Sequence, residues 1–121
     1  MLFLINSSCG KNDNDDKESP VITLSQPLEN QSTILNGDSV HVLLSASDNI
    51  ELKNLQIELK TNSGNIWFSA FPDVAGKKFY SYHKHYNPVN LSGSTSLTLT
   101  VTTADKKGNT ASKIILFTVA P

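Results

Sequence analysis

The stretch STSLTLTVTTADKKGNTASKIILFTV, residues 94–119, gives the strongest indication of the fold. Its first part alternates leucine or valine with threonine, which is the period-2 pattern of a strand buried on one face. The segment DKKGN (105–109) then predicts a hairpin loop, because Gly108 can adopt the left-handed backbone conformation that such loops need. Residues 112–119 follow as a last strand that is apolar on both faces.

The same alternation recurs nearer the N-terminus, in VHVLLSAS (40–47) and NLQIELKT (54–61). Three further strands are predicted at VITLS (21–25), IWFSAF (66–71) and KKFYSYHKH (77–85), and no segment has helical periodicity. Seven to eight short strands separated by frequent turns predict an all-β, immunoglobulin-like antiparallel β-sandwich with Greek-key order over residues 20–121. The residues predicted to face its core are Ile22, Val42, Leu44, Leu55, Ile57, Leu97, Leu99, Val101 and Phe117.

Length and charge limit the classes of function. A chain of 121 residues with a net charge of −1 fits one domain and has no basic surface for nucleic acid. The sequence contains no nucleophile elbow, phosphate-binding glycine loop or HExxH motif, so we expect a protein that is not an enzyme.

The single cysteine, Cys9, follows the apolar run MLFLI and the small residues Ser7 and Ser8. This arrangement resembles the end of a bacterial lipoprotein signal peptide, which implies cleavage before Cys9 and attachment of lipid to it. Residues 1–8 are then a remnant of the signal, because the apolar run is shorter than a working signal needs. We expect a misassigned start codon or a trimmed segment. The alternative is an N-terminal fragment without a role.

Residues 9–19 contain the acidic stretch KNDNDDKES (11–19), which has no apolar side chain to bury and is predicted to be a disordered tether. Acidic residues just after a lipidated cysteine resemble the surface-export signal of Bacteroidetes lipoproteins. A solvated spacer explains the composition equally well. The implied location is the outer membrane, with the leaflet left open.

Two longer segments carry a family resemblance: GDSVHVLLSASDNIELKNLQIEL (37–59) and VTTADKKGNTAS (101–112). They resemble uncharacterised Bacteroidetes lipoprotein domains with an immunoglobulin-like fold, and more broadly bacterial Ig-like and cadherin-like modules. The resemblance covers residues 9–61 and 94–119, and residues 62–93 align with nothing. It implies a fold and an envelope location, but no activity.

One candidate site combines oxygen ligands from two loops that this topology places at the same end of the sandwich. Its candidate metal ligands are Asp48, Asn49, Asp105 and Asn109, with Glu51 nearby. Oxygen-rich loops suit Ca²⁺. The alternative is that these side chains cap their own turns, as Asp and Asn commonly do.

A second candidate lies in YSYHKHY (80–86), where His83 and His85 share one face of a strand, as ligands of zinc or copper would. A third ligand could be His41 or a carboxylate, and spacing along the chain does not decide between them. Tyr82 and Tyr86, together with the two histidines, are candidates for contact with a glycan or a protein. The alternative is that the tyrosines complete the edge of the sandwich.

The sequence thus predicts a non-catalytic envelope lipoprotein domain that binds a glycan or protein or spaces other domains. The alternative function is binding of Ca²⁺ or Zn²⁺, and no other cofactor is expected. The expected partners are outer-membrane lipid, through Cys9, and an envelope ligand, with no nucleic acid. The loop in residues 85–93 should lie at the end of the sandwich remote from the membrane.

Overall fold

The computed structural model describes residues 17–35, 38–88 and 91–121. Within these ranges the chain forms eight β-strands and no helix. They are β1 (Val21–Gln26), β2 (Ser32–Ile34), β3 (Val40–Ser47), β4 (Leu52–Thr61), β5 (Ile66–Ala70), β6 (Phe79–Tyr86), β7 (Thr95–Asp105) and β8 (Thr110–Ala120). No helix in this part of the chain is long and apolar enough to cross a membrane. The predicted lipidation site Cys9 and most of the tether lie outside the described residues.

The strands form two sheets, one in the order β1-β3-β6 and the other in the order β2-β8-β7-β4-β5. This is the strand order of an immunoglobulin-like sandwich, so the predicted fold is confirmed. Among the described pairings only β2 with β8 is parallel, and the others are antiparallel. Strand β2 was not predicted. The chain crosses from the smaller sheet to the larger one between β1 and β2.

The core lies between the sheets and is built from alternate residues of the long strands. All the predicted core residues are buried except Ile22, which is half-buried because β1 is the edge strand of the smaller sheet. Strand β8, predicted to be apolar on both faces, buries Ile115 and Phe117 and leaves Ile114 and Leu116 exposed. Burial of the inner faces is the main stabilising contribution to such a domain.

The register of the smaller sheet defines the two ends of the sandwich. Ser47, the last residue of β3, lies opposite Val21 of β1 and Phe79 of β6. The chain therefore enters the sandwich at the end that carries the loops 48–51 and 105–109, which we call the carboxylate pole. The other end, where Val40 lies opposite Tyr86, is called the distal end. The chain leaves β6 there, so residues 87 and 88 follow at the distal end, as predicted for this loop.

The loop between β7 and β8 depends on a left-handed residue at its tip, since Gly108 has φ of 93°. We expect Gly108→Ala to lower the free energy of unfolding by about 1 kcal/mol, because a Cβ is disfavoured in this conformation. The space around the site is open, so the loss reports backbone strain alone. Gly93→Ala is the matched control, because the space around Gly93 is equally open and no positive φ is required there. Equal melting temperatures of the two variants would contradict the prediction.

Candidate functional site

Three histidines meet on the outer face of the smaller sheet, near its distal end. Alternation along β3 buries Val40 and Val42 and turns His41 outward, and the outer face of β6 carries His83 and His85. The register places His41 directly opposite His85, with His83 one pleat further along the same strand. Cross-strand neighbours on one face are close enough for their side chains to interact. The structure thus selects His41, rather than a carboxylate, as the third member of the imidazole cluster.

The rings of the imidazole cluster are in mutual contact. The ring centroids of His41 and His85 lie 4.0 Å apart, those of His83 and His85 4.6 Å, and those of His41 and His83 5.9 Å. The Nε2 atoms of His83 and His85 are separated by 3.1 Å. One ring nitrogen from each of the three residues lies within 4.8 Å of the other two. His41 is half-buried, whereas His83 and His85 are exposed. The cluster can therefore donate three nitrogen lone pairs towards one point at the solvent surface.

The surroundings of His85 favour its uncharged form. Desolvation lowers the pKa of His85, the neighbouring His41 and His83 lower it further, and Asp38 acts in the opposite direction. Asp38 lies at the margin of the cluster, with its Oδ1 3.9 Å from Nε2 of His41. The same oxygen accepts a hydrogen bond from the backbone N–H of Ser39 at 2.8 Å. A single carboxylate therefore partly offsets the mutual repulsion of protonated rings.

The lowered pKa of His85 predicts the sign of a pH effect in the metal-free protein. Because the folded state holds this proton less tightly than the unfolded state, stability should rise as the pH increases towards the ordinary value of 6.5. Titration of the histidine ring protons by NMR should give His85 a pKa below that value. In His41→Gln, which removes one of the charges responsible, the pKa of His85 should move back upward. An unshifted His85 in the parent protein would contradict this prediction.

The tyrosines of β6 lie on the opposite face of that strand from the histidines. Tyr82 and Tyr86 are half-buried and pack against the core, and burial, with a smaller contribution from Tyr80, raises the pKa of Tyr82. The ring of Tyr86 stacks on that of Trp67 from β5, with centroids 5.4 Å apart. These contacts close the open edge between the sheets, which was the alternative interpretation of the tyrosines. The four predicted contact residues therefore do not share one exposed surface.

At the carboxylate pole, Asp105 is fully buried and organises its own loop. Its Oδ1 accepts hydrogen bonds from the backbone N–H groups of Lys107 and Asn109, at 2.9 and 2.8 Å. Its Oδ2 accepts one from the side-chain amide of Asn109 at 2.9 Å. The carboxylate thus serves as an acceptor for the turn, which is the capping role given above as the alternative to Ca²⁺ binding.

The neighbouring loop is organised in the same way by Asp48, whose Oδ2 accepts hydrogen bonds from the N–H groups of Ile50 and Glu51, both at 3.0 Å. The two loops meet as predicted, because the N–H of Lys106 donates to the carbonyl of Glu51 at 3.1 Å. Among the described residues, Oδ1 of Asp48 is the buried side-chain polar atom that has no hydrogen-bond partner. Asn49 is exposed in this loop. Binding of Ca²⁺ at this pole stays a prediction.

A cavity of about 200 Å³ adjoins the imidazole cluster at the distal end. Its apolar lining includes Leu35, Val40 and Phe117, and its polar lining includes His41 and Asp38. No pattern in the sequence predicts this cavity. It depends on the crossing between β1 and β2, and residues far apart in the chain form its wall.

Comparison with protein-family profiles matches residues 7–115 to a family described as a domain of unknown function. The match includes residues 62–93, which sequence reasoning could not align. The comparison with curated proteins finds no significant match.

Proposed function

Because the chain belongs to the DUF4625 family of domains of unknown function, we propose its role from geometry: a non-catalytic envelope module that binds a ligand at its distal end. The observation that carries this proposal is the pairing of Val21 with Ser47, since it fixes the end at which the chain enters the sandwich. A tether from a lipidated Cys9 would hold the carboxylate pole towards the membrane. The distal end, with its imidazole cluster, would then face outward.

The proposed location is the outer membrane of a Bacteroidetes-type envelope, through lipid on Cys9. The test is to label cells of the native host with a clickable fatty acid and compare the parent protein with Cys9→Ser. We expect label in the outer-membrane fraction for the parent and none for the variant. Equal labelling of the two proteins would contradict the anchor.

The ligand-binding role is tested with the full chain carrying Cys9→Ser, so that lipid does not interfere. A glycan array and a pull-down from envelope extract should capture a glycan or protein with this chain. Adding His83→Ala and His85→Ala at the distal end should abolish capture. Lys106→Ala, an exposed change at the carboxylate pole, should leave it unchanged. Capture that survives the histidine changes, or is lost with Lys106→Ala, would place the binding surface elsewhere.

Metal binding is the second candidate function, and two different observations favour it. The carboxylate pole offers the buried, unpartnered Oδ1 of Asp48, which suits Ca²⁺. The distal end offers the three imidazoles, which suit a different class of metal. Melting curves with EDTA and with excess Ca²⁺ test the first, because ligand at 100 times Kd stabilises a protein by about 2.7 kcal/mol. Identical melting curves with EDTA and with excess Ca²⁺ would contradict binding of Ca²⁺ at the carboxylate pole.

A further inference from the structure

We propose that His41, His83 and His85 form a binding site for one late first-row transition-metal ion of the Zn²⁺ and Cu²⁺ class. This names a ligand for the distal end of the module proposed above, and it rests on that proposal only for the orientation of the site. The chemistry rests on the imidazole cluster itself.

The spacing of the nitrogens fits a shared ion. Two nitrogens bound to one Zn²⁺ at roughly 2.0–2.1 Å lie about 3 Å apart when the angle at the metal is near 100°. The Nε2 atoms of His83 and His85 already lie 3.1 Å apart. The ligand atoms of all three residues lie within 4.8 Å of one another, so small side-chain rotations would bring His41 into coordination.

The backbone holds these ligands in register before any ion binds. β3 and β6 pair without interruption from Val40–Tyr86 to Ser47–Phe79, and the pair His41–His85 lies next to the end of this ladder. Folding has therefore already brought the two distant parts of the chain together, and metal binding does not carry that loss of conformational entropy again. An ion at this position would connect the central strand β3 with the edge strand β6.

The type of donor decides the class of metal. Imidazole nitrogen suits Zn²⁺, Cu²⁺ and Ni²⁺, whereas Ca²⁺ and Mg²⁺ require oxygen ligands. The carboxylate of Asp38, with Oδ1 3.9 Å from Nε2 of His41, adds negative charge that attracts a cation. Three protein ligands also leave at least one coordination position for water or an external group. Since His83 and His85 are exposed, the bound ion would be accessible to solvent.

The competing interpretation is a hydrogen-bonded pair of rings with no ligand, because 3.1 Å between two ring nitrogens is also a hydrogen-bond distance. In that case the three side chains only cover the outer face of the sheet, and an added metal ion would find no defined site. The two interpretations differ in stoichiometry, in metal selectivity and in the effect of removing one ring.

The test is isothermal titration of the tag-free, chelator-treated full chain with ZnCl₂, CuCl₂ and CaCl₂. We expect one Zn²⁺ or one Cu²⁺ per chain, with Cu²⁺ bound more tightly. Any binding of Ca²⁺ should be unaffected by substitution of the three histidines. Replacing each histidine in turn by glutamine should weaken Zn²⁺ binding at least 10-fold, because a lost ligand costs no less than a lost outer-shell partner. Ser81→Ala, on the same strand and paired with Ser45 of β3, is the matched control and should bind like the parent.

NMR of the parent protein provides a readout that does not depend on any variant. One equivalent of Zn²⁺ should shift the ring signals of all three histidines and the amide signals of β3 and β6 around them. Absence of binding, binding that is unchanged in the glutamine variants, or shifts confined to the carboxylate pole would each overturn the inference. None of these outcomes bears on the proposed binding of a glycan or protein, which the array and pull-down test separately. If Zn²⁺ binds as expected but no glycan or protein is captured, only that proposed ligand is contradicted.

Discussion

Leu99→Ala should lower the free energy of unfolding by about 2–5 kcal/mol, which is a large part of the stability of a small domain. Leu99 is fully buried in β7, with Leu59 of β4 and Ile115 of β8 opposite it on either side. Truncation removes apolar contact and leaves a cavity that the flanking strands cannot fill without losing their register. Urea unfolding followed by tryptophan fluorescence measures the loss.

Leu116→Ala is the matched control for this measurement. Leu116 lies on β8, adjacent to β7 in the same sheet, but it points outward and is 48% exposed. The same chemical change should therefore cost about 1 kcal/mol or less. Similar losses for the two variants would mean that the outer face of the larger sheet is covered in solution, or that the assignment of the inner face is incorrect.

The strands with strong alternation could be predicted from the sequence because the signal for each lies within its own segment. Leu97, Leu99 and Val101 are buried and the threonines between them are not, as a strand with one buried face requires. Strand β2 could not be predicted in this way. It has three residues, STI, and pairs in parallel with the last strand, about 86 positions further along the chain. Nothing within the segment itself indicates that partner.

Only part of the imidazole cluster could be predicted, because the sequence shows which residues share a face of one strand but not which strands pair. Spacing of two along a strand puts His83 and His85 on one face, and this follows from local geometry alone. The approach of His41 depends on the register between β3 and β6, which are separated in the chain by β4 and β5. Register is set by the core and the turns together, so the sequence left the third ligand open.

For Tyr82 and Tyr86, the sequence predicted which face of β6 they occupy but not whether that face is exposed to solvent. Alternation places Tyr82 and Tyr86 away from the histidines, and the structure agrees. Trp67 and Phe68 of β5 cover Tyr86, at centroid distances of 5.4 and 5.6 Å, and Tyr82 packs against the core. Strand β5 lies in residues 62–93, where the sequence patterns alone indicated no family resemblance. The aromatic side chains therefore close the sandwich instead of extending from it.

The second large effect is expected at the carboxylate pole, where Asp105→Ala should lower the free energy of unfolding by about 3 kcal/mol. The side chain is fully buried and accepts hydrogen bonds from two backbone N–H groups and one side-chain amide. An alanine would remove all three hydrogen bonds, and a hydrogen bond to a charged group contributes about 1.5–3 kcal/mol. Thermal unfolding at neutral pH, followed by circular dichroism, measures the change.

Two comparisons separate this loss of hydrogen bonds from the loss of charge. Asp105→Asn keeps one carbonyl oxygen in place, so it should restore part of the stability that Asp105→Ala loses. Asp73→Ala removes a carboxylate that accepts from the N–H of Ala75 at 3.3 Å in an exposed turn, where water can replace it. Its cost should be about 0.5 kcal/mol. If Asp73→Ala and Asp105→Ala cost the same, burial is not what makes Asp105 important. The loop between β7 and β8 would then be held by its backbone alone.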